Sequence, residues 1–123
     1  MGHTGAMATE VIETLDPCCA PIVGEAMSVN SAVTLAAKFK ALGDPTRLRL
    51  LSIVAAHEDR EACVCDLTEP VALSQPTVSH HLKILVDAGL LTRSKRGTWS
   101  FYALVPGALD QLAEVLRTPA VTS

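Results

Sequence analysis

Aromatic residues are scarce: two Phe, one Trp and one Tyr in 123 residues. That excludes a core of stacked rings. The apolar 49% of the chain must close around Leu, Val, Ile and Ala. No apolar run approaches the ~20 residues needed to span a bilayer, so no membrane partner is expected. The start lacks a basic segment followed by an apolar stretch, so no secretory signal is expected and the chain reads as cytoplasmic. Basic charge is not in excess either. Ten Lys and Arg against thirteen Asp and Glu give a net charge of −3, unlike a generic nucleic-acid binder. There is no Cys-x-x-Cys, no glycine-rich phosphate loop after a strand and no Cys-His-acid set, which argues against an enzyme, including a thiol-dependent reductase.

What the chain does have is unevenly placed. Residues 1–30 hold Glu10, Glu13, Asp16 and Glu25 and no Lys or Arg, whereas residues 74–102 hold Lys83, Arg93, Lys95 and Arg96 against Asp87 alone. A locally basic surface can bind phosphate on an acidic protein. Four cysteines occur as two close pairs, Cys18-Cys19 and Cys63-Val64-Cys65. Without an export signal they read as thiols rather than disulfides. Soft thiolates select soft or borderline metal ions.

The length suits one domain. Residues 1–28, interrupted by Pro17, Pro21 and Gly24, read as a flexible arm carrying the first cysteine pair. Residues 29–118 form the folded domain, and 119–123 a frayed tail. Asn30 or Ser31 caps a helix to Leu42, with Val33, Ala36, Ala37, Phe39 and Leu42 toward the core. Gly43 ends it. Asp44-Pro45 starts a second helix as N-cap and first helical residue, with Leu48, Leu51, Ile53, Val54 and Ala55 inward to about His57. Residues 57–61 read as a solvated loop and Asp66–Glu69 as a short helix ended by Pro70. A further helix is capped by Ser74 or Gln75, with Pro76 in its first turn. Val78, Leu82, Leu85 and Val86 recur on it at helical spacing, and Gly89 stops it. Two short strands, 90–95 and 98–103, flank Arg96-Gly97 as a hairpin. Pro106 opens a last helix with Leu109, Leu112, Ala113 and Leu116 on one face. The order is mainly α with a small β-hairpin, an α+β winged helix-turn-helix, in which a short turn holds two helices at a steep angle.

Polar residues at the start of a recognition helix read base edges. Ser74, Gln75, Thr77, Ser79, His80, His81 and Lys83 are the candidates, and Arg93, Lys95 and Arg96 on the wing add phosphate contacts. Arg47 and Arg49 could also hold phosphate, although Arg47 near a helix start reads equally as structural. His80 and His81 do not form a metal pair, because adjacent helical side chains diverge by about 100°. For the same reason Cys63 and Cys65 can meet on one ion only if Cys63 lies in an extended segment before the helix. A helix N-terminus there would favour the thiolate.

In four stretches the chain resembles the ArsR/SmtB family of metal-sensing repressors: Phe39-Lys40-Ala41-Leu42-Gly43-Asp44-Pro45-Thr46-Arg47-Leu48-Arg49-Leu50-Leu51; Cys63-Val64-Cys65-Asp66-Leu67; Leu73-Ser74-Gln75-Pro76-Thr77-Val78-Ser79-His80-His81-Leu82-Lys83; and Ala88-Gly89-Leu90-Leu91. The resemblance covers about residues 32 to 117. It implies a homodimer that represses an inverted-repeat operator and dissociates when metal binds. Cys-Val-Cys-Asp-Leu at this place implies trivalent arsenic, As(III), or antimony, Sb(III), as inducer, with no organic cofactor. Some family members join an N-terminal cysteine pair to a thiol of the partner subunit. The metal ligands therefore come from Cys18, Cys19, Cys63 and Cys65, and both pairs together leave the set of three open. Cadmium, lead, mercury or oxidants acting on the same thiols are the alternative. The family's other site needs His on the C-terminal helix, which here offers Asp110 and Glu114 alone.

Overall fold

The computed structural model describes Ile22 and residues 25–117. The expected arm thiols Cys18 and Cys19, and the tail, lie outside the described residues. Among the described residues, five helices and three strands follow in the order α1 (Val29–Leu42), α2 (Pro45–Ala56), β1 (Glu61–Cys63), α3 (Val64–Val71), α4 (Gln75–Asp87), β2 (Leu91–Arg96), β3 (Trp99–Leu104) and α5 (Ala108–Leu116), with a 3₁₀ turn at Glu58–Arg60 before β1. This is a winged helix-turn-helix. The described residues fall into two compact units. One spans Ala36–Ala108, and the other combines the residues up to Leu35 with those from Leu109 onward.

In the larger unit, Asp44 is extended and its carboxylate accepts the N–H groups of Thr46 and Arg47, with Pro45 opening α2. The helix buries Leu50, Leu51 and Val54. Leu48, expected inside, is 54% exposed, because it sits to one side of the stripe that these three residues form. Ser74 caps α4 by accepting the Thr77 N–H at 3.4 Å, and Val78, Leu82 and Leu85 are fully buried. With Leu50, Val54, Leu67, Leu90 and Leu91 they form an aliphatic core, each side chain contributing about 1.5–3 kcal/mol of transfer free energy. The C-terminus of α4 is closed by Lys38, whose ammonium donates to the Ala88 carbonyl at 2.8 Å. Gly89 follows at φ +82°, where an added Cβ would meet Lys38 Nζ at 3.0 Å. The positive φ favours glycine here, whereas the lysine tip, the end of a flexible side chain, can give way.

The hairpin carries a third strand. β1 pairs antiparallel with β3, giving the order β1-β3-β2. Residues 57–61, expected as a loop, are instead a 3₁₀ turn running into this strand. Three residues are too few to show a period of two, so its pairing comes from β3. Helix α3 extends beyond the expected Asp66–Glu69 and keeps Pro70 inside.

In the smaller unit, Leu35, Leu112 and Val115 are buried, and the Ile22 N–H donates to the Val115 carbonyl at 2.8 Å. Ser28, not Asn30 or Ser31, caps α1, accepting the Ser31 N–H at 3.1 Å. Val33, Ala113 and Leu116, expected inside, are exposed. Val29 and Val33 are 79% and 64% exposed, and Leu116 is 59% exposed. Ala36 and Ala37, which open the larger unit, are also exposed.

Candidate nucleic-acid interface and thiol site

Ser74, Gln75, Thr77 and His80 are exposed at the start of α4, while Ser79 and His81 are half-buried. A groove of about 750 Å³ runs between α4 and the wing, lined among others by Gln75, Ser79, Lys83, Arg93, Lys95 and Ser100. Its basic side chains do not behave alike. Arg93 Nη2 and Nε donate to Ser100 Oγ at 3.1 and 3.3 Å, which steadies the guanidinium along the groove wall. Lys83 pairs with Asp87 one turn on, at 2.9 Å. Lys95 makes no ion pair among the described residues. Arg96 lies elsewhere. It donates to Glu61 at 2.7 Å and stands 4.4 Å over the Phe101 ring. Side chains alternate along a strand, so Arg93 and Lys95 share one face of the sheet and Arg96 takes the other. A free phosphate contact was expected of Arg96; the structure engages it within the chain.

Arg47 is structural. Its Nε donates to the Ala41 carbonyl at 2.7 Å, its Nη2 to the Lys40 carbonyl at 3.4 Å, and its Nη1 lies 3.3 Å from His81 Nδ1. Two of the orphan carbonyls ending α1 are thus satisfied, and His81 is turned toward α2. Arg49 donates to the Pro70 carbonyl at 2.7 Å. The Arg47 backbone N–H holds the Asp44 carboxyl below the usual carboxylate range against a smaller effect of burial. The charges of Arg47 and His81 and the Thr46 N–H add to the lowering.

The thiol pair forms where β1 becomes α3. Cys63 is the last residue of β1 and the N-cap of α3, extended at φ −74° and ψ 147°. Cys65 follows in the first turn. The extended cap removes the divergence a continuous helix would impose, and the two sulfurs come together, joined as a disulfide. Separate thiols were expected; the extended cap brings the two sulfurs within bonding reach. Cys63 Sγ also accepts the Cys65 N–H at 3.2 Å, and Asp66 Oδ2 accepts the Cys63 N–H at 3.3 Å. This reciprocal cap gives Asp66 a role beyond those expected from the sequence, though an acid three residues after a cap is its signal. Cys63 is 5% exposed and Cys65 is exposed. Among the described residues, no cluster of three or more His, Cys, Asp or Glu could hold a metal ion.

Residues 44–93 match the family model of the bacterial regulatory protein, arsR family. An HTH-type transcriptional regulator of Methanocaldococcus jannaschii is 44% identical over 79 residues, 64% of this chain and 83% of that relative. The chain belongs to the ArsR family.

An arsenical resistance operon repressor of Staphylococcus xylosus is 43% identical over 77 residues, covering 63% of this chain and 71% of its own. Among solved structures, the AntR antimony-specific transcriptional repressor superimposes with a TM-score of 0.62 at 30% identity, over 74% of this chain and 81% of that one. The ArsR-family match runs from the Asp44 cap into the wing at Arg93 and so includes both cysteines of Cys-Val-Cys. The chain is a transcriptional repressor of the ArsR/SmtB family, and its relatives are DNA-binding regulators, not enzymes. Among the described residues, no helix is long and apolar enough to cross a membrane.

Proposed function

We propose that this repressor binds an inverted-repeat operator as a homodimer and lets go when As(III) or Sb(III) is captured by cysteine thiolates. The observation that carries this reading is the placement of Cys63 and Cys65, whose sulfurs meet at the N-terminus of α3, the helix that leads into α4. Two soft donors at one point fit a thiophilic ion, once the disulfide is reduced. A trivalent ion wants a third thiolate, and Cys18 or Cys19, from the same chain or the partner, is the proposed source. The names of the two relatives, one an arsenical resistance repressor and one an antimony-specific repressor, favour these inducers.

Ser74, Gln75, Thr77, Ser79 and His80 are proposed to face the major groove. Lys83, Arg93 and Lys95 are proposed to hold phosphates along the adjoining groove. His81, turned toward Arg47, is assigned to the frame of the site. The exposed Val29, Val33 and Leu116 of the smaller unit favour burial against a second copy.

Release follows from the cap. Cys63 Sγ holds the Cys65 N–H, and it gives up that bond when its lone pairs turn to another acceptor. The start of α3 then shifts, and the α3–α4 pair with it. A ligand moves such an equilibrium only by its differential affinity for the two states. The closeness of the two sulfurs favours a second reading, release by oxidation of the two thiols, with two electrons and two protons passing to an oxidant such as a peroxide.

The deciding experiment is a titration of reduced, operator-bound protein with arsenite, cadmium and zinc. Arsenite is expected to lower operator affinity about 10²-fold. Retention of DNA with all three would end the sensor reading.

A further inference from the structure

The wing is tied to the thiol site by a ring of contacts on one face of the sheet. Across β1 and β3, Cys63 stands opposite Phe101 and Glu61 opposite Ala103. Directly opposed residues share a face. The Phe101 ring carries the Arg96 guanidinium at 4.4 Å, and that guanidinium donates back to Glu61 at 2.7 Å. From Cys63 the path runs to Phe101, to Arg96 at the wing tip, and back to Glu61 two residues before Cys63. The opposite face presents Arg93 and Lys95 to the α4 groove. Cys63 thus belongs at once to the helix that leads into α4 and to the sheet that aims the wing.

We propose that Arg96, clamped between Glu61 and Phe101, is a positioning residue that passes the state of the Cys63–Cys65 site to the wing. This inference rests on the proposed inducer reading. When Cys63 leaves its cap, β1 moves against β3, and the clamp carries that movement to the tip, displacing Arg93 and Lys95 on the far face. A bond between partly exposed partners, with the guanidinium over a ring, is modest. Most of the release is carried by α3, and the clamp accounts for about threefold of it.

The test uses the full reduced chain, with Arg96→Gln and Glu61→Gln beside the parent. Arsenite uptake is followed by the near-ultraviolet absorption of arsenic–thiolate bonds. Operator affinity is measured with and without arsenite, and the ratio is compared. Trp99, the lone tryptophan, lies opposite Arg96 across the turn, so its emission reports on the wing. Both variants are expected to take up arsenite like the parent, to lose the arsenite-induced change in Trp99 emission, and to show a release ratio about threefold smaller. A merely structural effect would lower affinity with and without arsenite alike and leave the ratio unchanged. If the parent releases its operator and the variants match it in ratio and emission change, the clamp is overturned and the inducer reading stands. A parent that holds its operator in arsenite overturns both.

Discussion

Arg47 Nη1 lies 3.3 Å from His81 Nδ1, so a residue of α2 fixes the orientation of one on α4. Two adjacent histidines therefore do different work. His80 is exposed, whereas His81 is half-buried against the guanidinium that also closes α1. Replacing Arg47 with Ala leaves carbonyls without their charged donor and is expected to cost about 1–2 kcal/mol in denaturant unfolding. His80→Ala should weaken operator binding with little change in stability. His81→Ala should lower stability more than His80→Ala does. The reverse order would reassign the pair.

The wing offers a direct electrostatic comparison. Arg93→Ala should reduce the slope of log affinity against log salt by about 0.9, the value for one phosphate no longer neutralised, evenly across operator sequences. Arg96→Ala should change the slope less, because Glu61 already occupies the guanidinium. Equal slopes for the two would show that Arg96 leaves Glu61 on DNA.

Cys63→Ser separates chemistry from capping. Serine is a preferred N-cap, so its hydroxyl can take over the Cys65 N–H, and the melting temperature should stay within a few degrees of the parent. Arsenite-driven release should nevertheless be lost, as it should in Cys65→Ser. Normal release by both serine variants would remove the Cys-Val-Cys pair from the mechanism.

Ala72 ends α3 in the left-handed region at φ +57° and ψ +40°, where a side chain is strained. Ala72→Gly relieves that strain but adds freedom to the unfolded chain, and is expected to raise stability by about 0.5–1 kcal/mol. Thermal or denaturant unfolding measures it.

Asp44 makes the start of α2 pH-dependent. Its folded carboxyl is held below the ordinary value of 3.8 by the Arg47 backbone N–H above all. A depressed folded value means that the charged form is favoured by folding. Its contribution is fully present above the unfolded value and is lost as pH falls through the folded one. Parent and Asp44→Asn should therefore differ by a constant amount from neutral pH to about 5 and converge below about 4. Convergence at neutral pH would assign the cap's effect to hydrogen bonding without charge.

Much of the site could be read from local signals because each rests on a few neighbouring residues. Asp44-Pro45 marks a helix start, Ser74 with Pro76 another, and Gly89 a stop, and each holds in three dimensions. The cap geometry at Cys63 met the one condition under which two cysteines two apart can converge. Burial was read less well. Leu48 and Val33 are apolar at plausible helical positions, yet both are exposed. A periodic pattern with several apolar stripes does not say which stripe finds a neighbour.

Composition and spacing by themselves determined an aliphatic winged helix-turn-helix with a basic hairpin and a cysteine pair just upstream of the helix proposed to read DNA. Only the tertiary structure decided that β1 joins the wing, that Arg96 turns to Glu61 and Phe101, and that Arg47 takes His81. The physical reason is range. Caps and turns are set by forces acting within four residues of one another. The partners of Glu61 and Arg47, by contrast, lie 35 and 34 residues away in sequence and become neighbours only when the core closes.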